Sequence, residues 1–159
     1  MDMEAGVKVR GFFHLQIAED DKIVGDSGIV ENAVVNEGFR DYLARALGAL
    51  ANSKQISHAA LGTGGEPGAG DTTLEGEIGH NASSRDAVAA ATNGSTAVRF
   101  TGTFASGDSH ITDTVNIANI GLFQQSNTQS GTIFAGATFA SSSWATNQSV
   151  NYTYDITFS

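Results

Sequence analysis

The sequence predicts a mainly β protein, an antiparallel β-sandwich (jelly-roll-like) with one α-helix in its N-terminal half packed on a sheet. Three observations carry this expectation. Near the end of the chain, Val150, Tyr152, Tyr154, Ile156 and Phe158 alternate strictly with Asn151, Thr153, Asp155, Thr157 and Ser159, the period-2 pattern of a half-buried strand. Near the start, Val7, Val9, Gly11, Phe13, Leu15 and Ile17 alternate in the same way with Lys8, Arg10, Phe12, His14 and Gln16. Between them, short β-branched and aromatic runs recur between polar turns, as the strands of a sandwich do. Burying the apolar face of the closing strand contributes on the order of 10 kcal/mol gross, at ~1.5–3 kcal/mol per side chain. It is therefore expected to be a central strand.

Taken in order, the opening strand runs into the polar turn Glu19-Asp20-Asp21-Lys22, and Ile23 to Val35 returns as one or two short strands broken around Gly25–Gly28. This is a β-hairpin over 7–35 with a longer loop. Phe12 stands on the polar face, where it either covers a second layer or meets a partner. Asn36 is placed to cap a helix over 36–48, in which Phe39, Tyr42/Leu43 and Ala46/Leu47 recur at helical spacing. Arg45 follows Asp41 by four residues, a supportive pair, and Gly48 is suited to a left-handed C-cap.

The sandwich strands are expected within 56–159, all in one domain spanning 1–159. Ile56 to Leu61 is a short strand, and Gly62 to Thr73, with five glycines and the only proline, is a loop. Thr73 to Ile78 suggests one helical turn, and Asn81 to Ser95 an irregular excursion. Val98 to Phe104, Val115 to Phe123 and Ile133 to Phe139 are strands. Ser106 to Ser109 is a turn, Gln124 to Gly131 a polar loop, and Ser141-Ser142-Ser143 opens a loop holding Trp144.

Composition narrows the function classes. A length of 159 residues, 40% hydrophobic and 16% charged, is that of an ordinary globular domain. A net charge of −9, with no Lys or Arg after Arg99, argues against direct contact with nucleic-acid phosphates. No run approaches the length of a membrane span. Without Cys there are no disulfides or thiolate metal sites. The acidic Met1–Glu4 start lacks an apolar core, so folding in a cytoplasm is expected. On that ground the Asn-x-Ser/Thr triplets at Asn81, Asn93, Asn147 and Asn151 are read as chance.

Motifs for chemistry are weak. The Gly62–Thr73 loop lacks the Lys-Ser/Thr pair of a P-loop, and Glu66 and Asp71 would repel phosphate. His14, His58, His80 and His110 have no partner at helical spacing, and Glu19-Asp20-Asp21 lacks the alternating ligands of a calcium loop. Glu75 and Glu77 lie too close in sequence to specify a glycosidase pair, and no serine sits in Gly-x-Ser-x-Gly. No enzymatic activity, cofactor or metal is expected. The aromatics give a different signal. Phe12, Phe123, Phe134, Phe139 and Trp144 exceed what the alternating faces require, and Trp144 in its loop reads as an interface anchor or a core cap. Candidate interface residues are Phe12, Trp144, Phe123, Phe134 and Thr153, the last on the outer face of the closing strand.

Several short segments recur in a recognisable order: Asn32 to Gly38 (NAVVNEG), Ala60 to Gly64 (ALGTG), Asp71 to Glu75 (DTTLE) and Arg85 to Val88 (RDAV). Val98 to Phe104 (VRFTGTF), Ile117 to Phe123 (IANIGLF), Gly131 to Phe139 (GTIFAGATF) and Tyr152 to Phe158 (YTYDITF) complete the series. In this order they resemble a family of small bacteriophage virion proteins that includes capsid decoration (cement) and tail-associated proteins. Two positions depart from the family pattern: Asn119 replaces an acidic residue and Gly136 a basic one, so a cross-strand ion pair is absent. A short acidic chain without fibre repeats or heptads favours the decoration members. The resemblance then implies a virion structural protein made in the host cytoplasm, a homotrimer on the capsid surface contacting the major capsid protein. The alternatives are a tail or baseplate component and, further off, a carbohydrate-binding module.

Overall fold

A computed structural model describes residues 6–79 and 85–159. The expectations placed on Met1–Glu4, His80 and 81–84, including the Asn81 triplet, lie outside the described residues. Nine strands among the described residues form two antiparallel sheets. They are β1 (Val9–Glu19), β2 (Lys22–Val34), β3 (His58–Gly62), β4 (Asp86–Ala87), β5 (Ala89–Thr92), β6 (Ala97–Phe104), β7 (Val115–Phe123), β8 (Ile133–Trp144) and β9 (Ser149–Phe158). The first sheet runs β5-β6-β9-β1-β2 and the second β4-β3-β7-β8-β2. β2 belongs to both: most of its length pairs with β1, while Ala33 and Val34 pair with Gly136 and Ala135 of β8. The sandwich class and the central place of the closing strand are as expected, since β9 lies between β1 and β6.

Alternation explains how the sheets face one another. Phe13, Leu15 and Ile17 of β1 and Val150, Tyr152, Tyr154 and Ile156 of β9 turn inward and are buried. They meet Phe100 and Phe104 of β6 and Ile117, Ile120, Leu122 and Phe134 of the second sheet in one core. Asn32 donates a hydrogen bond through Nδ2 to the Tyr154 hydroxyl, giving a buried polar group a partner.

The middle of the second sheet is buried on both faces. A smaller cluster of Val35, Ala60, Leu74, Phe123 and Ile133 fills its other side, and the Gly62–Thr73 loop contributes Pro67, which packs over Gly136. A Cβ at Gly136 would lie 2.7 Å from Pro67 Cγ, so a basic side chain has no room there. That loop is therefore a cover, held by Asn119, whose Nδ2 donates to Gly65 O and Glu75 O at 2.9 Å each.

Several local expectations are corrected. The hairpin does not have a longer loop: Glu19 pairs with Lys22, and Asp20 and Asp21 both take positive φ, as a two-residue type I′ turn requires. The helix occupies the expected stretch but is a π-helix over Gly38–Ala44 with one α-turn, Arg45–Leu47. Asn36 does not cap it: Glu37 stands at the N-cap, without a side-chain cap hydrogen bond, and the Asn36 N–H goes to Ala69 O. Gly48 is not left-handed (φ −98°); Ala49 is (φ +47°). The helix enters so close to β8 that a Cβ at Gly38 would lie 2.2 Å from Phe134 O. The Asp41–Arg45 pair forms at 3.3 Å. Thr73 to Ile78 makes no helical turn. Part of the supposed irregular excursion is the edge strands β4 and β5, and β8 continues through Trp144.

Candidate functional site: the outer face of the first sheet

The residues of β1 and β9 that do not enter the core form a face with their neighbours on β6 and β2. Register fixes the rows. Arg99, Asp155, Phe12 and Glu31 lie abreast, as do Thr101, Thr153, His14 and Ile29. Thr103, Asn151, Gln16 and Asp26 make a third row. Two of the five interface candidates, Phe12 and Thr153, thus come together. They line a shallow hollow of about 180 Å³ with His14, Ile29, Arg99 and Asp155.

Charges on this face are consumed sideways. Arg99 forks Asp155 with Nε and Nη2 at 2.8 Å each, and Arg10 forks Glu31 at 2.9 and 3.0 Å. Asp26 accepts from Gln16 Nε2 at 3.0 Å and from Gly28 N at 2.8 Å, and meets His14 Nε2 at 2.7 Å. These hydrogen bonds, that from Gln16 foremost, pull the Asp26 carboxyl down to about 2. Arg99 likewise holds Asp155 below the usual carboxylate range. Arg10 also lies 5.3 Å from the Phe12 ring centroid. With both guanidiniums forked by carboxylates, the face offers an approaching surface chiefly Phe12, Ile29 (77% exposed) and threonine hydroxyls.

The other three candidates are interior, which corrects their reading as partner contacts. Phe123 and Phe134 are fully buried, Phe123 beneath Arg85 and Phe134 against Tyr42 at 5.2 Å between ring centroids. Trp144 is 2% exposed, donates from Nε1 to Gln148 O at 2.8 Å and packs edge-on against Phe104. It is the core cap, not the anchor. Local spacing misled here because Trp144 ends a strand whose last residues are polar and exposed.

Sequence reasoning passed over Arg10, Asp26, Ile29, Glu31, Arg99 and Asp155 as site residues. The signal was available for part of the set. The alternation of β1 places Arg10, Phe12, His14 and Gln16 together, and that of β9 adds Asp155. Which residues of β2 and β6 lie opposite depends on register, which no local pattern gives, and two bulges shift it within β1–β2.

Elsewhere, Arg85 and Glu77 form a fully buried fork at 2.8 and 3.0 Å, and Arg85 also donates to Gln125 O and Ser130 O. Among the described residues no group of three or more His, Asp or Glu is placed to hold a metal ion, and no helix is long and apolar enough to cross a membrane. No family model matches the chain, and neither a curated protein nor a solved structure matches it.

Proposed function

We propose that this chain is a non-catalytic virion structural protein, a capsid decoration (cement) protein that docks the outer face of its first sheet on the assembled phage head. The observation that carries the adhesive reading is the lateral cancellation of charge on that face. Arg10, Arg99 and their carboxylates satisfy one another and Asp26 is held by Gln16, Gly28 and His14, which leaves Phe12, Ile29 and Thr153 for a partly apolar contact. The order of short motifs from Asn32 to Phe158 directs the reading to phage virions and to the major capsid protein as partner, with the chain present as a homotrimer.

The mechanism follows from mass action. A protein that binds only the assembled shell stabilises it by RT ln(1 + [L]/Kd) at each site. Many modest contacts add up over a shell, so no single one need be strong. An acidic chain without exposed cationic clusters on the docking face stays soluble at the concentrations such coverage needs.

Incubation of the purified chain with undecorated heads, followed by sedimentation and cryo-electron microscopy, tests the reading. Regular density on the shell is expected, with the first sheet toward it. Density confined to the tail replaces it with the tail or baseplate reading. A carbohydrate-binding module would need an exposed aromatic ring to stack on a sugar, and Trp144, buried at 2% exposure, does not supply it.

A further inference from the structure

We propose that the chain self-associates head to tail, the tip of the β1–β2 hairpin of one copy entering an apolar cleft beside the helix of the next. The cleft has a volume of about 310 Å³ and is lined by Leu43 and Ala46 of the helical segment, Ile56, and Val98, Ile156 and Phe158 of β6 and β9. That size lies at the lower limit of ~300–1,000 Å³ for ligand pockets, suited to a few apolar side chains. Leu47, 93% exposed, extends the apolar surface of the helix.

Charge identifies the occupant. Asp41 holds Arg40 at 2.7 Å, Arg45 at 3.3 Å and Lys54 at 3.4 Å, and Arg40 also reaches Glu37 at 3.2 Å. Three cations thus share two carboxylates, a local positive excess beside the cleft in a chain of net charge −9. The hairpin tip is its complement. Glu19, Asp20 and Asp21 outnumber the one cation, Lys22, at a two-residue turn, and Ile23 and Val24, which are 50% and 54% exposed, follow. The shift of register after Ile17 leaves both apolar residues outside the core instead of alternating. An acidic, apolar-flanked tip matches a positively rimmed apolar cleft.

The two patches cannot meet within one molecule. Val9 pairs with Phe158 at the cleft end of the sheet and Ala18 with Ser149 near the tip, so they lie about 30 Å apart at ~3.3 Å per residue. Two different, complementary surfaces on one chain make a heterologous contact, which closes into a ring or extends as a filament. This inference does not depend on shell binding, because it is measured in solution without shells.

Sedimentation velocity and light scattering of the full chain over a range of concentrations supply the test. The wild type is expected to associate, more weakly as salt rises. Ile23→Ser/Val24→Ser at the tip and Ala46→Glu at the cleft mouth should each weaken self-association at least about tenfold, with circular dichroism and urea midpoints unchanged. Mixed together, these two variants should form a 1:1 dimer, because one intact tip and one intact cleft remain. Asp20→Asn/Asp21→Asn keeps the turn, since Asn tolerates positive φ, and should remove the salt dependence. A monomeric wild type, tip variants that associate like the wild type, or a mixture that stays monomeric would each overturn the proposal.

Discussion

The guanidinium carbon of Arg85 lies 3.6 Å from the centroid of the Phe123 ring while its Nε and Nη2 fork the Glu77 carboxylate. The ring takes one face of the cation, the carboxylate its edge, and the Gln125 and Ser130 carbonyls accept from Nη1. An aromatic that reads in sequence as a partner contact is thereby committed to an internal clamp joining the Glu77 and Gln125–Ser130 loops. Replacing Arg85 by Met leaves Glu77 buried without its counter-charge and should cost ~3–5 kcal/mol. Arg85→Met with Glu77→Leu should cost less than Arg85→Met alone. Urea midpoints at constant slope measure both, and a single-variant loss below ~1 kcal/mol would show the pair to be solvated.

Asn119 occupies a position where an amide serves and a carboxylate would not. Its carboxamide donates to Gly65 O and Glu75 O, and a carboxylate in that place could only accept. Asn119→Asp should therefore destabilise the fold by at least ~1–3 kcal/mol at pH 7. Burial and the two carbonyl oxygens would raise the new carboxyl in the folded state above its unfolded value. The folded variant then keeps its proton to higher pH than the unfolded chain, so its deficit should shrink below about pH 4 and grow above it. A deficit independent of pH between 3 and 7 would contradict this.

The legibility of the fold tracks how each strand is buried. β1 and β9 have one wet face, so alternation announced them to within a residue or two. β7 and β8 are covered on both sides between Ile120 and Phe123 and between Ile133 and Ala137, so every residue there is apolar or small and no periodicity tells in from out. That is why Phe123 and Phe134 looked surplus to the core. β4 and β5 were missed for the opposite reason: Ala89 to Thr92 is exposed throughout, and small residues carry no pattern. The π-helical geometry was beyond reach because the spacing of apolar residues over so short a segment does not separate a π turn from an α turn.

Acid should act on the helix through Asp41. Arg40 foremost, with Lys54, holds its carboxyl down to about 2 from an ordinary value of 3.8. A depressed folded value means the unfolded chain takes up the proton first, so the stabilisation is complete above about pH 4 and is lost as pH falls toward 2. Asp41→Asn should flatten the difference in stability between pH 4 and pH 2 relative to the wild type. Parallel stability profiles for the two proteins over that range would show that Asp41 does not titrate in this way.

The two sides of β9 give a paired test of the site. Tyr154 is fully buried and bonded to Asn32, so Tyr154→Asp should cost several kcal/mol, of order ~3–5. Thr153→Asp, one residue away on the outer face, should change stability by less than ~1 kcal/mol. If that face docks on the shell, Thr153→Asp should nevertheless lower occupancy of purified heads, because it sets a second carboxylate beside Asp155 in a partly apolar contact. Undiminished occupancy would exclude this face as the docking surface, and equal small losses of stability for both variants would contradict the register of β9.

The pairing of β1 with β9 along Val9–Ala18 and Ser149–Phe158, sealed by reciprocal hydrogen bonds between Lys8 and Ser159, sets the order in which the chain is able to fold during synthesis. The β1–β2 hairpin leaves the ribosome well before β9, its other neighbour in the sheet, has been translated. Until then the inner edge of β1 has no strand beside it, and Phe13, Leu15 and Ile17 lack the side chains of Tyr152 and Tyr154 against which they pack. Such long-range closure slows folding and prolongs exposure of an unpaired strand edge. The nascent chain should therefore be a substrate for chaperones until residue 158 has emerged, and ribosome-stalled chains ending before β9 should remain protease-sensitive over their whole N-terminal hairpin.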